Sequence, residues 1–560
     1  MNGWWLAMRW FGGSTPGRPV PAGSRLLWQD PPLWTAGDRP LRHVRTAESN
    51  GRRLAVFGPC AASSRDLDRA LYEPGPVRAG RMWAGAYAVV RQGESGDVEI
   101  FTDPASALPL YTTRFQGGTV WGSSSRALAA LSGGEIDTAW MAAFLLDRQS
   151  PAPQRSAWAG VAPVPAGARL VLQANGSASA TPWWSPPHRS YGEAVPWVAE
   201  ALHESVRARV EGVQVSSDVA GIDSTTVAVL AAQHGQVLGL TAHPEGVTDG
   251  GDLTYARQVP GLELTEFPLR RTHLPFTPAD LELPATDEPA PSSGLWAAFS
   301  GQLLSVADQG SVCHLTGDGG DNLFMAPPVH LADLARTGRW LRMGRDALAW
   351  SQLRRESPWP LVGAALSGSV ARLHRPWMTR PEWLTVQAGE VAVSPDDSNA
   401  ALVANLRGAA RGAAADAQLA DALGVELANP YFDGALLDAV VSVPPEDRFS
   451  VRRYKPLLVD AVGSHLPAAH RTRTAKGVFA GDFHRGVRAN LTHLLASTDG
   501  HLAAAGLIDP GPLRSALHSV ALGARSVWPP LLAALVAEMW MAAIESAAPV
   551  GWVPVAEGAR

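Results

Sequence analysis

Two stretches of the chain share one arrangement of apolar, small and polar positions. From Gln214 to Gln233 a short apolar run crosses a small-residue turn, Val219-Ala220-Gly221, and continues as apolar residues at helical spacing. The pattern predicts a strand, a tight turn and a helix opened by Asp223 and Ser224. From Ser311 to Phe324 an apolar run again enters a glycine-rich turn, Gly317-Asp318-Gly319-Gly320, followed by Asp321 and Asn322. Around them, 191–211 carries apolar residues at helical spacing, 237–241 reads as a strand, 291–304 as the helix before the second turn, 329 to about 410 as mostly helix, and 528–543 as a packed terminal helix. Ahead of a proline-rich joint at 182–188 the pattern differs: 52–57, 85–91, 97–103, 108–113 and 168–173 are short strand-like runs between glycine or proline turns. The expected organisation is a β-rich domain over 1–185, an α/β domain over 190–545 and a tail over 546–560.

Composition narrows the class. A chain of 560 residues is too long for one core. With 46% hydrophobic and 18% charged residues it reads as a soluble globular protein with a well-buried interior. A net charge of −5 without a basic block argues against nucleic acid or an anionic membrane as the main partner. Cys60 and Cys313 are the only cysteines, which excludes a disulfide scaffold and a cysteine-rich metal centre. No stretch reads as a signal peptide or a membrane span, so the expected location is cytoplasmic. Of the 47 basic residues only Lys455 and Lys476 are lysines. A chain that writes its cations as arginine keeps a compact ammonium where a point charge is needed, as beside a phosphate or an oxyanion. Composition alone does not separate the two lysines: Lys455 reads as a packing residue, and what favours Lys476 is the family-like segment it stands in, between Ala475 and Gly477.

The two turns carry chemistry. A strand feeding a small-residue turn into a helix start aims unpaired backbone N–H groups and the positive end of the helix dipole at one point, where an anion can sit. Ser224, Thr225 and Thr226 place hydroxyls beside it, and Asp223 and Asp321 supply carboxylates suited to a magnesium ion bridging phosphates. No lysine follows the first turn, so it is not a Walker A loop. In a doubly wound sheet, turns after neighbouring strands face one pocket. Two anion-cradling turns with two carboxylates therefore predict an ATP site.

At this point the chain resembles the asparagine synthetase superfamily, whose ATP-pyrophosphatase loop reads Ser-Gly-Gly-x-Asp-Ser and whose later loop reads Gly-x-Gly-x-Asp-Glu. The block from Trp83 through Tyr111 to Leu128 is similar to the glutaminase-like domain of the same enzymes, and Val425-Glu426 to Asp433, Tyr454-Lys455 and Arg471 to Phe479 are similar to their later motifs. The resemblance implies an α/β protein: an N-terminal glutaminase-like αββα sandwich, then an ATP-pyrophosphatase synthetase domain with a parallel sheet and extra helices. It implies ATP and Mg2+ as cofactors, with Val219, Ala220, Gly221, Asp223, Ser224, Thr225, Gly317, Asp318, Gly319 and Lys455 around ATP and pyrophosphate, and with Asp223 and Asp321 on the metal. Glu426 is implied as the base, its pKa raised by burial, and Lys476 as the cation at the transition states.

The active glutaminase uses a cysteine directly after the initiator methionine. Here the chain reads Met1-Asn2-Gly3, so that domain is expected to be structural and glutamine is not the expected nitrogen source. Relatives with that property are the lasso peptide cyclases and the β-lactam and carbapenam synthetases, and the first turn is most similar to the cyclase version. The implied activity is adenylation of an Asp or Glu side chain of a leaderless precursor peptide, followed by isopeptide formation with its N-terminal amine. The implied partners are the precursor peptide, a leader peptidase and a leader-recognition protein. An amide-forming synthetase acting on a small molecule, or a non-catalytic peptide-binding homologue, stays open. Val219, Ala220 and Asn322 depart from the usual residues of the two loops, and the expectation is that they weaken ATP use. A peptide-positioning cleft is expected between 328 and 410.

Overall fold

The computed structural model describes residues 9–13, 19–37, 42–73, 77–78, 81–93, 96–149, 152–173, 175–325, 327–374, 380–385, 397–473, 480–524 and 528–554. Its first part holds two antiparallel six-stranded sheets. In Arg52–Phe57 the side chains alternate: Leu54 and Val56 face the helix Ser64–Ala70, whereas Ala55 and Phe57 face the other sheet. Between the sheets Trp10 stacks on Phe57 with ring centroids 4.7 Å apart and meets the edge of Trp121. The outer face of the sheet containing Arg9–Gly13 is covered by the helix Thr138–Leu146 and, from the far end of the chain, by Trp528–Ser546. The layers are therefore helix, sheet, sheet, helix, as the αββα expectation has it, but one outer layer is shared between Thr138–Leu146 and helices from the C-terminal end of the chain. The last described strand, Trp552–Pro554, pairs antiparallel with Pro19–Pro21.

From Tyr191 onward the chain builds a five-stranded parallel sheet. Its spatial order is Glu263–Leu269, Val237–Pro244, Val215–Asp218, Cys313–Leu315, Glu426–Ala428. The chain leaves Val215–Asp218 toward one edge and later returns on its other side as Cys313–Leu315, so the topological switch lies between these two strands. The helix Tyr191–Val210 is opened by a capping box in which Ser190 and Glu193 satisfy each other's backbone N–H. Its apolar stripe, Val198, Leu202 and Val206, joins one core with the sheet and with the helix Ser398–Ala422. The stretch expected to be mostly helix contains His330–Arg336, Trp340–Arg354, Trp359–Leu366 and Val370–His374, with large apolar side chains left exposed on the middle pair, Leu341 and Trp359 above all.

Candidate active site

The first turn is built as its residues require. Val215–Asp218 ends, and the helix Ile222–Ala231 starts at Gly221, whose N-cap position has no side-chain cap and open space where a Cβ would be. The helix therefore presents its first N–H groups to an open point. Ser224 stands beside that point, its hydroxyl 3.3 Å from the Gly221 carbonyl. Three residues expected around the phosphates have a side chain or backbone group engaged elsewhere. Thr225 is fully buried, turned into the core by its place on the helix. The Val219 side chain is buried in an apolar cluster with Ala228, Ala256 and Val259, and its N–H donates to the Leu240 carbonyl at 2.8 Å. The Ala220 carbonyl accepts from Arg473 Nη1 at 2.6 Å. The departure at Val219 thus falls on a position that faces the interior, and a hydroxyl there would not reach a phosphate.

The second turn is pressed against the first. A Cβ on Gly317 would lie 2.7 Å from the Ser224 nitrogen, and one on Gly320 would lie 2.5 Å from the Asp223 carboxyl carbon. Gly319 lies beside them with φ of +92°, backed by Tyr431 and Phe432. The contact brings Asp321, in the first turn of the helix Gly320–Phe324, close to Asp223. Lys455 joins them: its fully buried ammonium donates to Asp223 and, at 2.5 Å, to Asp321. Burial pushes the Lys455 ammonium down, but the two carboxylates outweigh it and hold it above the usual lysine range. Lys455 adopts a left-handed φ of +44° just before Pro456, a conformation costing on the order of 1–2 kcal/mol that the two ion pairs hold in place. The composition argument that left Lys455 as a packing residue is overturned, because this ammonium is the bridge between the loops.

Glu426 behaves differently from the expectation. It opens the strand Glu426–Ala428 at the register of Cys313, the amino end of the sheet, whereas the loops leave the carboxyl ends. Its carboxylate meets His43 Nε2 at 2.8 Å and Arg42 Nη2 at 3.0 Å, both from the N-terminal half. Burial pushes the carboxyl up, but His43 and Arg42 outweigh it, so its pKa lies below the usual carboxylate range rather than above it. These groups line one side of a cavity of about 490 Å³ between the two halves, whose far wall is Asn429 and Phe432, behind the second loop. Asn429 accepts the Thr316 hydroxyl at 2.6 Å, and Thr316 Oγ1 in turn accepts the Asp318 N–H at 3.1 Å. Asp433 is fully buried and forms a two-point ion pair with Arg209. Lys476 lies outside the described residues. Three residues before it, Arg473 is anchored on Ala220 and Asp252 and stacks over Tyr255 at 4.0 Å.

Residue typing alone gave no access to Arg42, His43 and Arg473, because arginine is common along the chain and no motif marks them. Asn322, expected to remove charge from the metal side, instead donates from Nδ2 to Asn405 at 2.8 Å, and Asn405 donates to Gln149. The paired carboxylates of Asp223 and Asp321 have the oxygen chemistry that Mg2+ takes. Asp223 and Asp321 would hold such an ion, which would supply positive charge beside the phosphates; among the described residues no group of three or more His, Cys, Asp or Glu could hold a metal.

The sequence profile of the asparagine synthase family matches residues 197–542, well over half of the chain and the whole of the parallel sheet with its loops. No curated protein matches the chain in a sequence search. Among solved structures, the chain is similar to glutamine phosphoribosylpyrophosphate amidotransferase from B. subtilis complexed with ADP and GMP, at 10% identity over 56% of this chain and 75% of that one, with a TM-score of 0.19. It is also similar to an allosteric regulatory enzyme of purine biosynthesis, at 11% identity over 57% of this chain and 75% of that one, again with a TM-score of 0.19. Likeness at that level carries no argument. Family match, paired loops and Lys455 bridge agree: the chain belongs to the asparagine synthase family and is an ATP-dependent, amide-bond-forming ligase.

Proposed function

We propose that this ligase is a peptide macrocyclase of the lasso type, joining an Asp or Glu side chain to the N-terminal amine of the same peptide. The observation that carries the reading is the state of the two cysteines. Cys60 is half-buried, with its thiol pushed up to about 12, and Cys313 is fully buried in the parallel sheet and pushed up further. Neither can act as the thiolate that releases ammonia from glutamine, so the amine comes from another donor. The exposed Trp340, Leu341, Leu353 and Trp359 on the helices beyond the second loop supply an apolar surface suited to a peptide.

The chemistry follows from the loops. The substrate carboxylate attacks the α-phosphorus of ATP; one O–P bond forms, the bond to pyrophosphate breaks, and an acyl-adenylate results. Gly221 and Ser224 at the helix start receive phosphate oxygens, and Lys455 holds Asp223 and Asp321 in register beside them. Asp223 and Asp321 would hold Mg2+, which when bound offsets the charge of the departing pyrophosphate. The amine then attacks the acyl carbon and expels AMP, giving the amide. Its proton leaves to solvent; Glu426, ionised in its pairing with His43 and Arg42 at the amino end of the sheet, lies too far from the loops to take it. A cation from the segment after Arg473, Lys476, would stabilise the negative charge at both steps.

The test is nucleotide accounting. Purified protein with ATP, Mg2+ and a leaderless precursor peptide is expected to release AMP and pyrophosphate in proportion to amide formed, with no dependence on glutamine. Glutamine-dependent turnover, or ADP as product, would contradict the reading.

A further inference from the structure

One peptide unit of the first loop is held from outside the loop. Val219 is fixed by its side chain in the apolar cluster and by its N–H on the Leu240 carbonyl, and the helix Ile222–Ala231 fixes the chain from Ile222 onward. Between them stands the peptide that joins Ala220 to Gly221. It is planar and trans, so its carbonyl and its N–H point in opposite directions. Whatever holds the Ala220 carbonyl therefore decides where the Gly221 N–H is aimed.

Arg473 holds it. Its Nη1 donates to the Ala220 carbonyl at 2.6 Å, and its Nη2 donates to Asp252 in the helix Gly251–Ala256, which follows the neighbouring strand of the sheet. The guanidinium lies over the Tyr255 ring, 4.0 Å from its centroid, and His470 meets that ring at a near-right angle with centroids 5.5 Å apart. The Arg473 side chain is buried, so these contacts are made away from water, where a charge-assisted hydrogen bond is strengthened. A planar fork reaches the carbonyl and the carboxylate at once while its face rests on the ring, which a compact ammonium cannot do. On the other side of the peptide, no described residue accepts the Gly221 N–H, and the space where a Cβ of Gly221 would lie is open.

We propose that Arg473 is the positioning residue of the first loop: by drawing the Ala220 carbonyl away from the phosphates it turns the Gly221 N–H toward them. Asp252 and Tyr255 hold the guanidinium in that attitude. With the peptide turned over, a carbonyl oxygen would face the phosphate oxygens, so the site would lose a donor and gain a like partial charge in one movement. The inference rests on the reading of the two loops as an ATP site and deepens it, assigning the orientation of the first loop to a residue 253 positions further along the chain.

The probe is α,β-methylene-ATP with Mg2+, which cannot be cleaved between the first two phosphorus atoms, titrated calorimetrically into the full-length protein without any peptide. The wild type is expected to bind it. Arg473→Met is expected to bind about tenfold more weakly, and Arg473→Lys, which keeps a charge opposite Asp252, to recover part of the loss. Gly221→Pro removes the N–H itself at a φ of −76°, which proline adopts, and is expected to weaken binding by a similar factor. The two changes remove one and the same donor, so the double variant is expected to bind no more than about threefold more weakly than the weaker single variant. A general loosening of the fold by Arg473→Met would instead multiply the two losses. Urea titration checks that each variant is folded, and Arg473→Lys carries the same cycle if Arg473→Met is not. Multiplied losses in the double variant would overturn the assignment. The two readings separate: a wild type that does not bind the analogue removes the ATP site and the inference with it, whereas wild-type binding that ignores both Arg473 variants removes the inference alone.

Discussion

Lys455 is the residue on which the site turns. Its ammonium is fully buried between two carboxylates, and breaking a buried ion pair costs about 3–5 kcal/mol because charges are left unmatched. Lys455→Met is expected to lower stability by roughly that amount in urea titrations and to reduce pyrophosphate release by about 100-fold. Lys455→Arg should not restore activity, since a planar guanidinium overfills a slot shaped for an ammonium. Glu426 gives a separable result. It sits at the opposite end of its strand from the loops, so Glu426→Gln is expected to keep both peptide-dependent pyrophosphate release and amide formation within a few fold; loss of amide formation alone would contradict its place at the amino end of the sheet. Its folded pKa lies below the usual range, so its pairing with His43 and Arg42 stabilises the fold above the ordinary carboxylate pKa of about 4.3 and is lost as pH falls through the folded value. Asp416 has the opposite sign. Its folded pKa of about 7 exceeds the unfolded value of about 3.9, so its ionisation erodes stability as pH rises between those values. Asp416→Asn should flatten that part of the stability profile, and an unchanged slope between pH 4 and 7 would show that the group titrates normally.

At the scale of elements, the two loops were legible because each is a short apolar strand running into small residues, and a parallel sheet writes its strands that way. The approach of the loops was not legible. It depends on Gly317 and Gly320 meeting Asp223 and Ser224, which spacing along the chain does not encode. Gly320→Ala tests it: the added Cβ would lie 2.5 Å from the Asp223 carboxyl carbon, and overpacking of that kind costs about 1–3 kcal/mol. Weakened nucleotide binding by titration is expected, and normal affinity would show that the loops separate at no cost. In the N-terminal half the predicted runs at 52–57, 97–103 and 168–173 coincide with strands Arg52–Phe57, Val98–Phe101 and Ala168–Leu172. Arg9–Gly13, Leu33–Ala36 and Gly118–Gly122 escaped because tryptophans and glycines break the alternation. Ala178–Pro182 escaped because it is an exposed edge strand of small polar residues. Glu426 was found by motif but given the wrong surroundings: strand register, invisible in one sequence, decides which end of the sheet it occupies.

Across the whole molecule, the halves are interlocked. Trp528–Ser546 closes one face of the N-terminal sandwich, Trp552–Pro554 pairs with Pro19–Pro21, and Arg42, His43 and Arg148 reach toward the synthetase half. A glutaminase-like domain whose one thiol, Cys60, is pushed up by burial thus still has work as a wall of two cavities that adjoin the second loop and the strand after it. No helix among the described residues is long and apolar enough to cross a membrane. The central claim is that this ligase closes a ring within a peptide, and mass spectrometry of a leaderless precursor peptide incubated with the protein, ATP and Mg2+ tests it most directly. The account predicts a product lighter by one water, with the new amide between an Asp or Glu side chain and the N-terminal amine, formed together with AMP. An unchanged peptide mass, with AMP released instead when a small β-amino acid is supplied, would contradict it.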